Sequence, residues 1–186
     1  MVPLMSLLLP ILLAAVLVFV ASSVIHMLLP YHRTDFAKVP KEDQVMAAIR
    51  PFAIPPGEYV IPYAGSPAMM KDPDYLERVK AGPAAFITVA PSAVPTMGAQ
   101  LALWFAYCVV VGVFAAYVTG SALPAGADAL QVFRFSGTVT FISYTVANWQ
   151  NSIWYRRAWS TTLKNTFDGL VYALLTAGVF SQFWPA

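Results

Sequence analysis

Apolar positions gather into long blocks, separated by stretches where they are diluted with prolines and charges. Residues 4–29, LMSLLLPILLAAVLVFVASSVIHMLL, contain no Asp, Glu, Lys or Arg, and neither do residues 98–123, GAQLALWFAYCVVVGVFAAYVTGSAL. Crossing the bilayer hydrocarbon takes about 20 predominantly apolar residues, so each block predicts a transmembrane helix. Pro10 falls near the start of the first, where a helix tolerates it. That block lacks the basic leader and the small-residue cleavage site of a signal peptide, and reads as a retained helix. A third, less apolar block runs from about Ala129 to Trp154, after the loop PAGAD, whose Asp128 is placed to cap it. A fourth runs from about Thr166 to Phe183.

Residues 31–96 carry ten of the 15 prolines, which rules out long helices there. Two short ones fit: 41–50, KEDQVMAAIR, between Pro40 and Pro51, and 73–81, PDYLERVKA, with Asp72 as N-cap and Gly82 as stop. GEYVIPYAG, between them, reads as extended. Residues 82–100 are apolar and uncharged but broken by proline, too irregular to span lipid, and suited to docking on the membrane or on protein. The chain thus divides into 1–30 (transmembrane helix 1), 31–96 (a proline-rich segment) and 97–186 (transmembrane helices 2–4).

Composition agrees with lipid as the main solvent. The chain is 59% hydrophobic and 11% charged, with a mean hydropathy of +0.64, against about 25% charged residues in soluble domains. A net charge of +2 gives no footprint for nucleic acid. Basic residues favour the cytoplasmic side. Placing 31–96 and the loop holding Arg156, Arg157 and Lys164 on that side puts all but Arg134 inside. Segment 31–96 holds as many acids as bases, so the all-basic loop is the cleaner signal. The expected class is an all-α integral membrane protein of four transmembrane helices, both termini outside, with a cytoplasmic segment at 31–96.

Helix faces supply the candidate residues. Gly112, Ala116 and Gly120, continuing the line of Cys108, recur every fourth position in the second block. Gly169, Ala173 and Ala177, continued by Ser181, do so in the fourth. Small residues at this spacing let helices pack closely in lipid. In the third block Thr140, Tyr144, Asn148, Asn151 and Tyr155 share one face, which is expected to point toward protein or water. His26, Arg134 and Asp168 are the ionisable candidates. Asp168, read as opening the fourth helix, suits capping or pairing with Arg156, Arg157 or Lys164, and spacing along the chain places no carboxylate beside His26. Trp149, Trp154, Arg156, Arg157 and Trp159 match an interfacial belt.

No Walker A loop, GxGxxG, HExxH, CxxC or GxSxG is present, so no catalytic residues are assigned. The single Cys108 permits no internal disulfide or cysteine-based cluster. Two histidines, His26 and His32, are too few for a self-contained metal site or a bis-histidine haem. No metal or cofactor is expected, beyond a bound lipid or quinone. The segments SSVIHMLLPYHRTD, SIWYRRAWSTT and DGLVYALLTAG resemble an uncharacterised family of small bacterial inner-membrane proteins with no assigned activity. The resemblance implies a multi-pass protein of the bacterial inner membrane and brings no catalytic residues. The favoured expectation is a non-catalytic accessory subunit of a larger inner-membrane complex, respiratory or photosynthetic. Its partners would be membrane lipids and other membrane subunits or further copies of itself. The alternatives are a small oligomeric transport or channel-like protein, and a lipid- or quinone-binding protein.

Overall fold

The computed structural model describes residues 1–93 and 96–186. They form two compact units, one of residues 1–36 and 96–186, the other of 37–95. The protein is mostly helical, and two helices, Leu4–Leu28 and Gly98–Ala122, are long and apolar enough to cross a membrane.

The first unit is a helical bundle. A 3₁₀ turn at Leu4–Leu7 leads into α1, Leu8–Leu28. The face of α1 bearing Ile11, Ala14, Ala15, Val18, Ser22 and Ile25 is buried, while Leu9, Leu12, Val16 and Val20 are exposed. The helix labelled α4, Gly98–Ala122, follows the second unit in the chain and buries Cys108, Val111, Gly112, Ala115, Ala116, Thr119 and Gly120. Its small residues are used within the bundle. A Cβ on Gly112 would lie 3.2 Å from Ile11 Cγ2, and one on Gly120 would lie 2.9 Å from the Val2 carbonyl. Helix α5, Ala129–Thr145, starts at Asp128, whose carboxylate accepts from the amides of Leu130 (3.0 Å) and Gln131 (3.3 Å). Helix α7, Trp159–Gln182, packs along α5, with Gly137 against Ala177 and Gly169 against Tyr144 and Thr145.

Two boundaries differ from the sequence expectation. The third block is not one helix to Trp154. It stops at Thr145, turns through a 3₁₀ segment at Val146–Asn148 and resumes as α6, Trp149–Trp154. Thr145 turns its hydroxyl back onto the Phe141 carbonyl (2.6 Å) and leaves helical geometry (φ −120°, ψ −54°), a bond that competes with the helix ladder. The fourth helix starts at Trp159, ahead of Thr166, with its first turn fastened by a buried Ser152–Thr162 hydroxyl pair (2.6 Å). Asp168 therefore lies more than two turns inside α7 and does not cap it.

The second unit holds α2, Glu42–Ile49, and α3, Pro73–Ala81, the latter capped by Asp72 on the amides of Asp74 (2.9 Å) and Tyr75 (3.3 Å). Strands β1, Gly57–Ile61, and β2, Ala85–Val89, pair antiparallel from Gly57↔Val89 to Ile61↔Ala85. The start of the apolar 82–100 stretch is thus a strand, which its glycine and prolines conceal. Of this unit's described residues only Pro62 and Ala64 are buried.

Candidate functional site

The chemistry of the first unit collects where α1 ends. Leu29 precedes a proline, which favours extended backbone, and it is extended (φ −83°, ψ 137°). Pro30 then opens a 3₁₀ turn, Pro30–Thr34. The turn presents Tyr31 and His32 to α7, and the Asp35 amide closes it on the His32 carbonyl (3.0 Å).

Asp168 is the centre of the site and is 2% exposed. Its Oδ1 accepts from the Tyr31 hydroxyl. Its Oδ2 faces Nε2 of His32 at 2.8 Å and Nε2 of His26 at 4.0 Å. The other nitrogen of His32, Nδ1, lies 2.7 Å from Asp35 Oδ2. Lys164, one turn before Asp168 on α7, donates to Asp35 Oδ1 and Thr34 Oγ1, both at 2.8 Å. The rings pack at a tilt, with centroids 4.4 Å apart and planes at 46° for His26–His32, and 4.3 Å and 40° for Tyr31–His32. Burial, the hydrogen bond to Asp168 and the nearby carboxylate charges raise the Tyr31 pKa, so its phenol remains a donor. Burial opposes ionisation of Asp35, but the bonds from His32 and Lys164 outweigh it and lower its pKa. Each nitrogen of His32 therefore lies within hydrogen-bond distance of a carboxylate oxygen.

Beside this centre lies a cavity of about 410 Å³ lined by His26, Trp104, Tyr107, Tyr144, Asn148, Asn165, Asp168 and Tyr172. Its aromatic wall is continuous, with centroid separations of 5.6 Å for Tyr107–Tyr144, 5.3 Å for Tyr144–Tyr172 and 6.1 Å for Trp104–Tyr172. Trp104 Nε1 donates to Ser22 Oγ (2.7 Å) and the Tyr107 hydroxyl to the Ser143 carbonyl (3.0 Å). The Tyr172 hydroxyl is buried with no partner among the described residues.

The predicted residues distribute unevenly around this site. Tyr144 and Asn148 line the cavity, and Asn148 also donates to the Tyr144 carbonyl (2.8 Å). Thr140 is buried, and its hydroxyl bonds the Ser136 carbonyl (2.8 Å). Ser136, Ser143 and Thr145 likewise bond carbonyls four residues back in α5. Asn151 and Tyr155 lie beyond the break after Thr145, so the five-residue face is not continuous; Asn151 is half-buried and Tyr155 exposed. Arg134 is exposed about 15 Å along α5 from Tyr144, by the helical rise, beside two apolar grooves of about 320 and 350 Å³. Ala116, Gly169, Ala173 and Ala177 are buried. Trp149 donates to Thr166 Oγ1 (3.0 Å), while Trp154, Arg156, Arg157 and Trp159 are exposed.

No protein-family model, curated protein or solved structure matches the chain. The site is therefore read on its own chemistry. Spacing along the chain offers Asp168 a helix cap or a partner among Arg156, Arg157 and Lys164, and places no carboxylate beside His26. The fold corrects both, since Asp168 meets Tyr31, His32 and His26, while Lys164 goes to Asp35. One usable signal was present: a carboxylate inside an apolar helix requires a partner. PYHRTD, just after α1, offers donors at the same end of the bundle.

Proposed function

We propose that this chain is a four-span membrane protein that binds the polar head of an amphiphile, a quinone or a lipid, in the cavity at the His26–Asp168 end of the bundle. Helix α5, with 17 residues, rises about 26 Å, and α7, with 24, rises about 36 Å, lengths that suit spanning alongside α1 and α4. The basic residues Arg156 and Arg157, between α6 and α7, and Lys164, early in α7, favour a cytoplasmic position for the site and for residues 37–95, with both termini outside. The bacterial inner membrane is the proposed setting.

The observation that carries this reading is the cavity's lining. Four aromatic side chains supply flat apolar walls, while Asp168, Asn148 and Asn165 supply polar groups. Binding sites for small molecules combine apolar walls with a few placed polar groups in this way. Mass spectrometry of organic extracts from protein purified in mild detergent tests it. One amphiphile per chain is expected, reduced in Tyr144→Ala and Asn148→Leu. Protein carrying no stoichiometric amphiphile would overturn the reading.

A second reading, a non-catalytic accessory subunit of a larger complex, rests on residues 37–95. That unit buries almost nothing, and it exposes Phe52 (75%), Tyr63 (69%) and Met70 (57%), surface that a partner subunit would cover. Migration as a lone monomer after gentle solubilisation of native membranes counts against it.

A further inference from the structure

The side chains around Asp168 also form a donor set of a recognisable kind. Two imidazole nitrogens and one carboxylate oxygen, from His26, His32 and Asp168, lie within 4.8 Å of one another. Both Nε2 atoms address the same oxygen, Oδ2, because Tyr31 occupies Oδ1. Donors bound to one tetrahedral ion at about 2.0–2.2 Å sit roughly 3.3 Å apart. The observed separations from Oδ2, 2.8 Å and 4.0 Å, fall on either side of that value. His26 is the donor with room to adjust, since its side chain is 49% exposed.

The surroundings favour a cation at this point. Metal-bound histidines typically give their other nitrogen to a carboxylate, which fixes the ring and strengthens the ligand. Asp35 stands in that place for His32, and Lys164 holds Asp35 in turn.

We propose that His26, His32 and Asp168 bind one divalent transition-metal ion of borderline softness, such as zinc or iron(II), with a coordination position open to the cavity. A mixed imidazole and carboxylate set suits these ions, whereas calcium and magnesium seek all-oxygen shells. Three protein donors leave at least one position for water or an added ligand, as in open zinc sites. Two of the three donors, His26 and Asp168, line the cavity, so a head group there would lie against the ion. The ion's binding does not depend on whether an amphiphile occupies the cavity.

The test uses tag-free, full-length protein in detergent, stripped with chelator and dialysed separately against Zn²⁺, Co²⁺ and Ca²⁺. Because the chain has only two histidines, any imidazole–metal signal comes from this cluster. Elemental analysis is expected to give one Zn²⁺ or Co²⁺ per chain and no Ca²⁺, with Co²⁺ showing visible ligand-field bands. His26→Ala and His32→Ala should each abolish stoichiometric retention, and Asp35→Asn should weaken it about 10–100-fold. Circular dichroism checks that each variant is folded, and His26→Ala, at an exposed position, is the variant least able to disturb the fold. Absence of retained ion, or retention unchanged in either histidine variant, overturns the proposal. Protein that carries an amphiphile but no ion would overturn it while leaving the binding reading intact.

Discussion

Nε2 of His32 lies 2.8 Å from Oδ2 of Asp168, across 136 positions of sequence. This contact ties the turn after α1 to the interior of α7 and closes the bundle at its polar end. Leaving a buried polar group without its hydrogen-bond partner costs about 1–3 kcal/mol, so His32→Ala should lower stability by that order. Tyr31→Phe, which strips a donor from Oδ1, should cost about 1–3 kcal/mol. Thermal unfolding in detergent, followed by tryptophan fluorescence, measures both. A variant that unfolds with the unaltered protein would show that the contact contributes little.

Glycines on α7 should separate cleanly by position. A methyl at Gly169 would overlap Thr145 Cγ2 and lie 3.2 Å from Tyr144 Cβ, whereas one at Gly178 meets nothing within 4 Å. Gly169→Ala is expected to destabilise by about 1–3 kcal/mol through forced repacking. Gly178→Ala should be neutral or stabilise by up to about 1 kcal/mol from helix propensity. The same unfolding assay, run on the pair, reports the difference.

Tyr172→Phe separates stability from binding. The hydroxyl it removes is buried without a partner, so the empty protein should be equally stable or gain up to about 1 kcal/mol. Amphiphile retention should match the unaltered protein, because the hydroxyl is closed off from the cavity while the ring that lines it is kept. Extraction and unfolding measured on one preparation give both answers.

Sided labelling tests the proposed orientation. Cys108 is 2% exposed and should stay silent toward an impermeant maleimide. In intact cells Ala186→Cys should react and Lys71→Cys should not, while permeabilised cells should label both. The reverse pattern would invert the topology.

How legible the site was depends on sequence distance. The course of α1 and α4 follows from uncharged apolar blocks, and α3 follows from Asp72, Pro73 and Gly82, because those signals are local. The break after Thr145 was hidden, since Val146, Ala147 and Trp149 continue an apolar run that reads as one helix. Strand β2 was hidden because its pairing with β1 crosses the whole of α3. The cluster at Asp168 was the least legible part, since its members come from α1, the turn after it and α7. Tyr144 and Asn148, chosen for their face on one helix, do border the cavity, but only the fold shows what stands opposite them.

The placement of residues 37–95 between α1 and α4 has a consequence for how this molecule tolerates change. Helix α1 packs on α4 and α7 within a unit to which that insert does not belong. Closing a loop grows more costly only with the logarithm of its length, by about 0.6 kcal/mol for each doubling. The bundle therefore places almost no thermodynamic limit on the size of what it carries at this position. Lengthening, shortening or exchanging the insert should leave the helices, and the polar end they build, as they are.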